Sequence, residues 1–194
     1  PVAADGRARR LAGEVRAATR FPVFHATRIQ DVATARHAIA AGKVDMIGMT
    51  RAHMADPQIM RKILEKREHD IRPCVGANYC LDRIYQGGMA LCMHNAATGR
   101  EETMPHDIPR AAQKKKVVIV GAGPAGLEAA RVAGERGHQV VLHEAAPRAG
   151  GQLRLTAQSP RRREMIGVSD WRVAQCEQLG VDIRYNSLAD AGTI

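Results

Sequence analysis

The stretch "VVIVGAGPAGLEAARVAGERGHQVVLHE", residues 117–144, decides the fold. Four apolar residues, Val117–Val120, run directly into Gly121, Gly123 and Gly126, which open a helix that stops near Gly137. A second apolar strand follows and reaches Glu144. A G-x-G-x-x-G pattern by itself says little, but between a strand and a helix it is the turn that seats the pyrophosphate of a dinucleotide. Gly121 permits the tight turn, Gly123 lets the backbone approach the pyrophosphate, and Gly126 with Ala130 lets helix and strand pack closely. The pyrophosphate then meets the free N–H groups at the positive end of the helix. Glu144 stands 23 positions after Gly121. There a carboxylate accepts hydrogen bonds from ribose hydroxyls and repels a 2′-phosphate, so the site suits FAD, NAD or ADP over NADP. Gly150–Gly151 allows a second close backbone approach, and Gly151 is included in the site.

Downstream, "PRRREMIGVSDWRVAQCEQLG" reads as a helix and "VDIRYN" as a third strand. Upstream lies "PCVGANYCLDRIYQGGMALCMHN", residues 73–95, with Cys74, Cys80 and Cys92; the remaining cysteine is Cys176. The stretch from 67 to 113 is rich in Gly, Pro and Asn and has no sustained period, so something other than an apolar core must order it. A metal site would do so. Alanine carries no donor atom, so Ala77, midway between the first two cysteines, ligates nothing.

Further upstream, "FPVFHATRI" and "VDMIGM" read as buried strands. "QDVATARHAIAAG" reads as a helix with Val32, Ala35 and Ile39 on one face and Gly42 as its stop. "DPQIMRKILEKR" reads as a helix with Asp56 as N-cap, Pro57 at its first position, and a core face of Ile59, Met60, Ile63 and Leu64. Strand, helix, strand, helix with short connections means parallel β/α units, whose function sits at the carboxyl ends of the strands. Those ends are Ala26–Thr27–Arg28 and Gly48–Met49–Thr50–Arg51.

Composition bounds the rest. The chain has 194 residues, 45 % hydrophobic and 25 % charged, with a net charge of +9. Its six aromatic residues leave little material for a base-stacking surface, so a basic surface is preferred to a nucleic-acid site. No apolar run approaches the roughly 18 residues that span a bilayer. The polar opening "PVAADGRARRLAGEVRAATR" lacks the apolar core of a secretion signal. Clustered cysteines without such a signal favour a metal or redox site in a reducing, cytoplasmic compartment. The missing initiator methionine and the stop at Ile194 after a strand suggest a piece of a longer protein, whose incomplete domains would be poorly soluble.

Taken in order, these motifs resemble the family of NADH:flavin oxidoreductases that contains 2,4-dienoyl-CoA reductase and trimethylamine dehydrogenase. "FHATRI" and "DMIGMTRAHMADP" look like the last two strands of its barrel, "CVGANYCLDRIYQGG…CMHNAATGRE" like its cluster segment, and "VVIVGAGPAGLEAA…HE" like its adenine-nucleotide motif. The resemblance implies an α/β fold in three parts. These are the C-terminal part of an FMN-binding TIM (β/α)8 barrel (1–66), a Cys-rich Fe–S linker (67–113), and a partial Rossmann-like FAD/NAD(P)-binding domain (114–194). Carried across, Thr27, Arg28, Thr50 and Arg51 meet the FMN phosphate, Arg51 through its planar fork. The bland reading of Arg51 is a strand-end cap or a pair with Asp56.

The family pattern C-x2-C-x3-C-x11-C stands here as C-x5-C-x11-C, with Ala77 at the second position. The ligands Cys74, Cys80 and Cys92 leave several possibilities. A [4Fe-4S] cluster could be completed by water, Asn78, Asp82 or His94. A [3Fe-4S] cluster needs three thiolates only. A zinc ion could take the three cysteines and His94, or the metal could have been lost. The Cys-to-Ala variant is similar to dimethylglycine and N-methylproline demethylase-like members, which points to an N-methylated amine as substrate ahead of an enoyl-type compound. Substrate-facing catalytic residues would lie upstream of this chain. Implied partners are a small-molecule substrate, NAD(H) or an electron-transfer protein, with no nucleic acid or membrane and a possible homo-oligomer. The alternative is a non-catalytic adenine-nucleotide- and metal-binding protein. His25 is expected to be a hydrogen-bonded structural histidine, and Cys176 a small buried apolar residue.

Overall fold

The computed structural model describes residues 2–26 and 28–192. The chain forms two compact units, Pro1–Thr98 and Gly99–Ile194.

The first unit opens with helix α1 (Val2–Ala18), which the sequence reading did not anticipate. Its apolar residues are sparse, and Leu11 and Val15 remain exposed. An Arg16–Asp45 ion pair of 2.7 Å ties it to the chain entering the second strand. Strands β1 (Phe24–His25) and β2 (Met46–Ile47) are parallel, with Phe24 beside Met46 and His25 beside Ile47. Both are shorter than their apolar stretches suggest. The flanking backbone is held instead by Asp45, whose carboxylate accepts the Val23 N–H at 2.8 Å.

Helix α2 (Val32–Ala40) is capped by Asp31, which accepts the Thr34 N–H at 2.7 Å, and Gly42 leaves it at φ +64°. Its buried face is Ala35 and Ala38, while Ile39, expected inside, is exposed. Thr50 and Arg51 do not extend a strand: they begin helix α3 (Thr50–Ala55). Helix α4 (Ile59–Leu64) begins later than the Asp56–Pro57 signal predicts. Asp56 precedes its cap because its carboxylate closes a local turn, accepting the Gln58 N–H at 3.0 Å, and reaches Lys62 at 2.7 Å. Ile59 is buried, but Met60 and Leu64 are exposed. A short helix α5 (Tyr79–Tyr85) stands where no period was visible and carries Cys80 in its first turn.

The second unit is built on three parallel strands, β3 (Lys116–Val120), β4 (Gln139–His143) and β5 (Asp182–Arg184), in the order β3-β4-β5. Helix α6 (Pro124–Glu135) connects the first two strands. Helices α7 (Gln152–Thr156) and α8 (Gly167–Gln178) connect the second and third. The core is Ala122, Leu127, Ala130, Val140, Leu142, Cys176 and Val181. On the other side of β3, Val118 and Val120 are exposed.

Helices α6 and α8 share a buried charge network that apolar periodicity does not reveal. Glu128 binds Arg131 and Arg172, each at 2.7 Å, and Arg131 lies 5.6 Å from the Trp171 ring centre. Both guanidinium groups are nearly excluded from water, so they depend on their carboxylate partners. Truncating Glu128→Ala is expected to destabilise the protein by about 3 kcal/mol, because two buried guanidinium groups stay buried with the carboxylate they share removed, although Arg131 keeps Glu135. Denaturant unfolding of the variant measures this; a loss no larger than an exposed pair gives, about 0.5 kcal/mol, would sink the interpretation.

Candidate functional site

Parallel pairing of β1 with β2 places their carboxyl ends side by side. Arg28 leaves β1 in a left-handed conformation, φ 49°, which is uncommon for a residue with a side chain. Thr27 lies outside the described residues. Thr50 and Arg51 follow β2 at the start of α3. Among the described residues Asp56 pairs with Lys62, whereas Arg51 Nη1 donates to Asn78 Oδ1 at 2.8 Å. Asn78 is itself left-handed, φ 60°, a conformation that asparagine tolerates well, and it immediately precedes α5.

The cysteine stretch is fastened to the β/α elements at both ends. At its entrance, the buried Asp56 carboxylate accepts the Arg72 N–H at 2.8 Å, and Lys62 Nζ donates to the Asp70 carbonyl at 2.8 Å. At its exit, Asn95 Nδ2 and Thr98 Oγ1 donate to the Met54 carbonyl at 3.0 and 2.8 Å. Between these anchors, Gln30 Nε2 donates to the Cys74 carbonyl at 3.0 Å and to Cys74 Sγ at 3.4 Å. The His94 backbone N–H points at Cys92 Sγ, 3.4 Å away. The roles of Gln30, Asn95 and Thr98 were not singled out from the sequence, because each joins residues more than 40 positions apart through groups that look ordinary in isolation.

Cys74, Cys80 and Cys92 all line one small cavity, with Ala77 in its wall. Arg51, Asn78 and His94 line it too. Of the candidates for completing a ligand set, Asn78 has its side-chain oxygen on Arg51, and the exposed Asp82 receives Gln86 at 3.0 Å. His94 is buried, with Nδ1 2.9 Å from the Pro73 carbonyl. A carbonyl only accepts, so Nδ1 carries the proton and the basic nitrogen of the neutral ring is Nε2.

Among the described residues, no group of three or more His, Cys, Asp or Glu is gathered tightly enough to hold a metal ion. Three thiols line one cavity, two of them facing N–H donors, a donor set with the chemistry that an iron–sulfur group uses.

In the second unit the glycine turn has the form its sequence requires. Gly121 has φ +93°. A methyl group on Gly126 would lie 1.9 Å from the Gly121 carbonyl oxygen, so helix and turn touch there through backbone alone. A methyl on Gly123 would meet nothing within 4 Å, which leaves open space over the turn. Gly151 approaches from the far side, 3.3 Å from the Gly123 Cα measured from its would-be Cβ, and Gly150 N–H donates to the Ala122 carbonyl at 2.8 Å. Glu144, just beyond β4, accepts the Ala122 N–H at 2.6 Å through Oε2 and the Ala146 N–H at 2.8 Å through Oε1. The residues read as one site from sequence are thus brought together.

His25 is half-buried in β1, and its Nε2 has no hydrogen-bond partner among the described residues. Cys176 is fully buried under α6, and burial pushes its thiol up to about 11. No helix among the described residues is long and apolar enough to cross a membrane.

Residues 116–162 match the FAD dependent oxidoreductase family. A probable N-methylproline demethylase of Rhizobium meliloti (strain 1021) is 73 % identical over 184 residues, 95 % of this chain and 27 % of the relative. A multifunctional alkene reductase/demethylase OYE of Caballeronia cordobensis is 52 % identical over 90 % of this chain and 25 % of its own length. The solved structure of 6-hydroxypseudooxynicotine amine oxidase from Pseudomonas geniculata N1 superposes with a TM-score of 0.92 at 30 % identity, covering 97 % of this chain and 29 % of that one. The chain spans about a quarter of the length of the curated relatives it matches. Over nearly its whole length the chain is a homologue of these demethylases, reductases and amine-oxidising enzymes, and the family resemblance read from its motifs holds.

Proposed function

We infer that this chain is the junction region of a flavin-dependent oxidoreductase that acts on N-methylated amines, in the class of an N-methylproline or dimethylglycine demethylase. The observation that carries this reading is the 73 % identity to the Rhizobium meliloti protein along 95 % of the chain. In this reading residues 1–66 close an FMN-binding (β/α)8 barrel, 67–113 carry an iron–sulfur cluster, and 114–194 begin a Rossmann-like domain for FAD or ADP. When bound, these groups supply acceptance of two electrons from the substrate and their onward passage one at a time.

The chain's own residues have distinct tasks. Arg28, Arg51, Thr50 and Thr27 hold the flavin phosphate by charge and by N–H donation. The clamp between Arg51 and Asn78 supports this role, because it fixes the guanidinium plane beside the cysteine cavity. Cys74, Cys80 and Cys92 are the ligands, with His94 the side chain best placed to complete the set. Gly121, Gly123, Gly126 and Gly151 shape the pyrophosphate seat, and Glu144 orients the ribose. The partners are a small-molecule amine and NAD(H) or an electron-transfer protein, in the cytoplasm. The reading as a non-catalytic nucleotide- and metal-binding protein has no support among relatives, which carry the names of oxidoreductases.

The substrate class is tested by mixing the intact oxidised protein, without oxygen, with N-methylproline, dimethylglycine or cinnamate. Bleaching of the flavin absorbance by the N-methyl amines is expected; bleaching by neither amine, with reoxidation of the reduced protein by cinnamate, would move the assignment to alkene reduction. Iron and acid-labile sulfide are expected in nearly equal amounts, approaching three or four per chain. Zinc near one per chain would reject the cluster.

The two glycines separate binding from folding. Gly123→Ala is expected to leave thermal stability within about 0.5 kcal/mol of the parent while weakening FAD or ADP binding at least about tenfold, since its methyl occupies only the ligand's space. Gly126→Ala is expected to destabilise the second unit by about 3 kcal/mol, because its methyl and the Gly121 carbonyl cannot both keep their places. Calorimetry with ADP, together with thermal unfolding, reads both effects.

A further inference from the structure

We propose that Gln30 sets the reduction potential of the cysteine site by donating an N–H to Cys74 Sγ, and that it links this sulfur to Arg28 on the flavin-phosphate side. The inference rests on the iron–sulfur reading above and concerns a residue outside every motif of the sequence.

Gln30 is half-buried, five residues beyond the end of β1 and 44 positions from Cys74. Its amide is used at both ends. Oε1 faces Arg28 Nε at 3.5 Å, and Nε2 faces two acceptors of Cys74, the carbonyl at 3.0 Å and Sγ at 3.4 Å. That arrangement fixes which end is nitrogen, because reversing the amide would set its oxygen against the Cys74 carbonyl and its NH2 against a guanidinium. The contact with the carbonyl holds the cysteine backbone, while the contact with sulfur acts on its electrons. An N–H directed at a ligating thiolate withdraws electron density from sulfur, favours the more negative reduced state, and raises the potential.

Of the two N–H donors described at these sulfurs, the His94 donor is backbone and Gln30 is a side chain. Gln30 is therefore the contact that a point substitution can remove while all three cysteines remain. A parallel link runs from Arg51 to Asn78 in the cavity wall. Both arginines assigned to the flavin phosphate thus reach the cysteine site through one amide side chain each. Retention of phosphate and electronic tuning of the site then share the same residues.

The test uses the intact protein, purified without oxygen, as wild type, Gln30→Met and Gln30→Glu. Methionine keeps the length and loses both amide functions. Glutamate keeps the acceptor for Arg28, loses the N–H toward sulfur, and adds negative charge. Iron, sulfide and flavin are quantified first, and the cluster is then titrated reductively and followed by electron paramagnetic resonance. The expected result is unchanged iron with midpoints shifted negative in both variants. The reduced-to-oxidised ratio at the wild-type midpoint should fall about fivefold for methionine, the size of one neutral hydrogen bond, and further for glutamate. Unchanged midpoints at full iron content would overturn the proposal. Loss of iron from both variants would overturn it too, leaving Gln30 as an anchor for the Cys74 backbone. Wild-type protein without iron and sulfide would instead remove the iron–sulfur reading itself, a failure distinct from either of these.

Discussion

The first unit depends on one buried carboxylate. Asp56 is almost wholly excluded from water, yet it gathers the Gln58 N–H, the Arg72 N–H and the Lys62 ammonium. A buried charge is tolerable only when it is paired and hydrogen-bonded on this scale. The geometry that satisfies Asp56 also fixes where the cysteine stretch begins, because Arg72 lies two residues before Cys74. The Met54 carbonyl does the same at the other end through Asn95 and Thr98. A segment with little apolar content is thus positioned by polar contacts to rigid elements, and its three thiols meet at one cavity.

The second unit is governed by a steric constraint of the opposite kind. There the decisive feature is an absence of side chain at Gly126, where backbone meets backbone. That contact lets α6 start directly beneath the turn from β3, with Glu144 arriving from the neighbouring strand to hold the turn's Ala122 N–H. The same carboxylate also accepts the Ala146 N–H, so both of its oxygens are engaged. Open space over Gly123 beside close packing at Gly126 is the division of labour expected of a nucleotide seat.

Much of this was legible in the sequence, and the legible parts share a cause. Gly121, Gly126 and Glu144 obey constraints that act over one strand, one turn and one helix, so spacing alone exposes them. The clustering of Cys74, Cys80 and Cys92 was legible for the same reason. Helix α1 and helix α5 were not, since neither shows a strong apolar stripe. The start of α4, and the buried faces of α2 and α4 in part, were misjudged where apolar pattern was allowed to stand for burial. Ala35 and Ile59 lie inside as the pattern implies, but Ile39, Met60 and Leu64 are exposed and Ala38 takes an interior place.

By itself the sequence determined the α/β class, the glycine turn between β3 and α6, the grouping of three cysteines and the missing donor at Ala77, because these depend on residue identity and short spacing. The tertiary structure decided which polar side chains serve them. Gln30 reaches Cys74 across 44 residues and Asn78 reaches Arg51 across 27, distances over which no local period carries information. Hydrogen bonds between residues so far apart depend on the tertiary arrangement and leave no mark on local sequence. The chain could therefore announce its cysteines, and only folding could say which groups hold them in place.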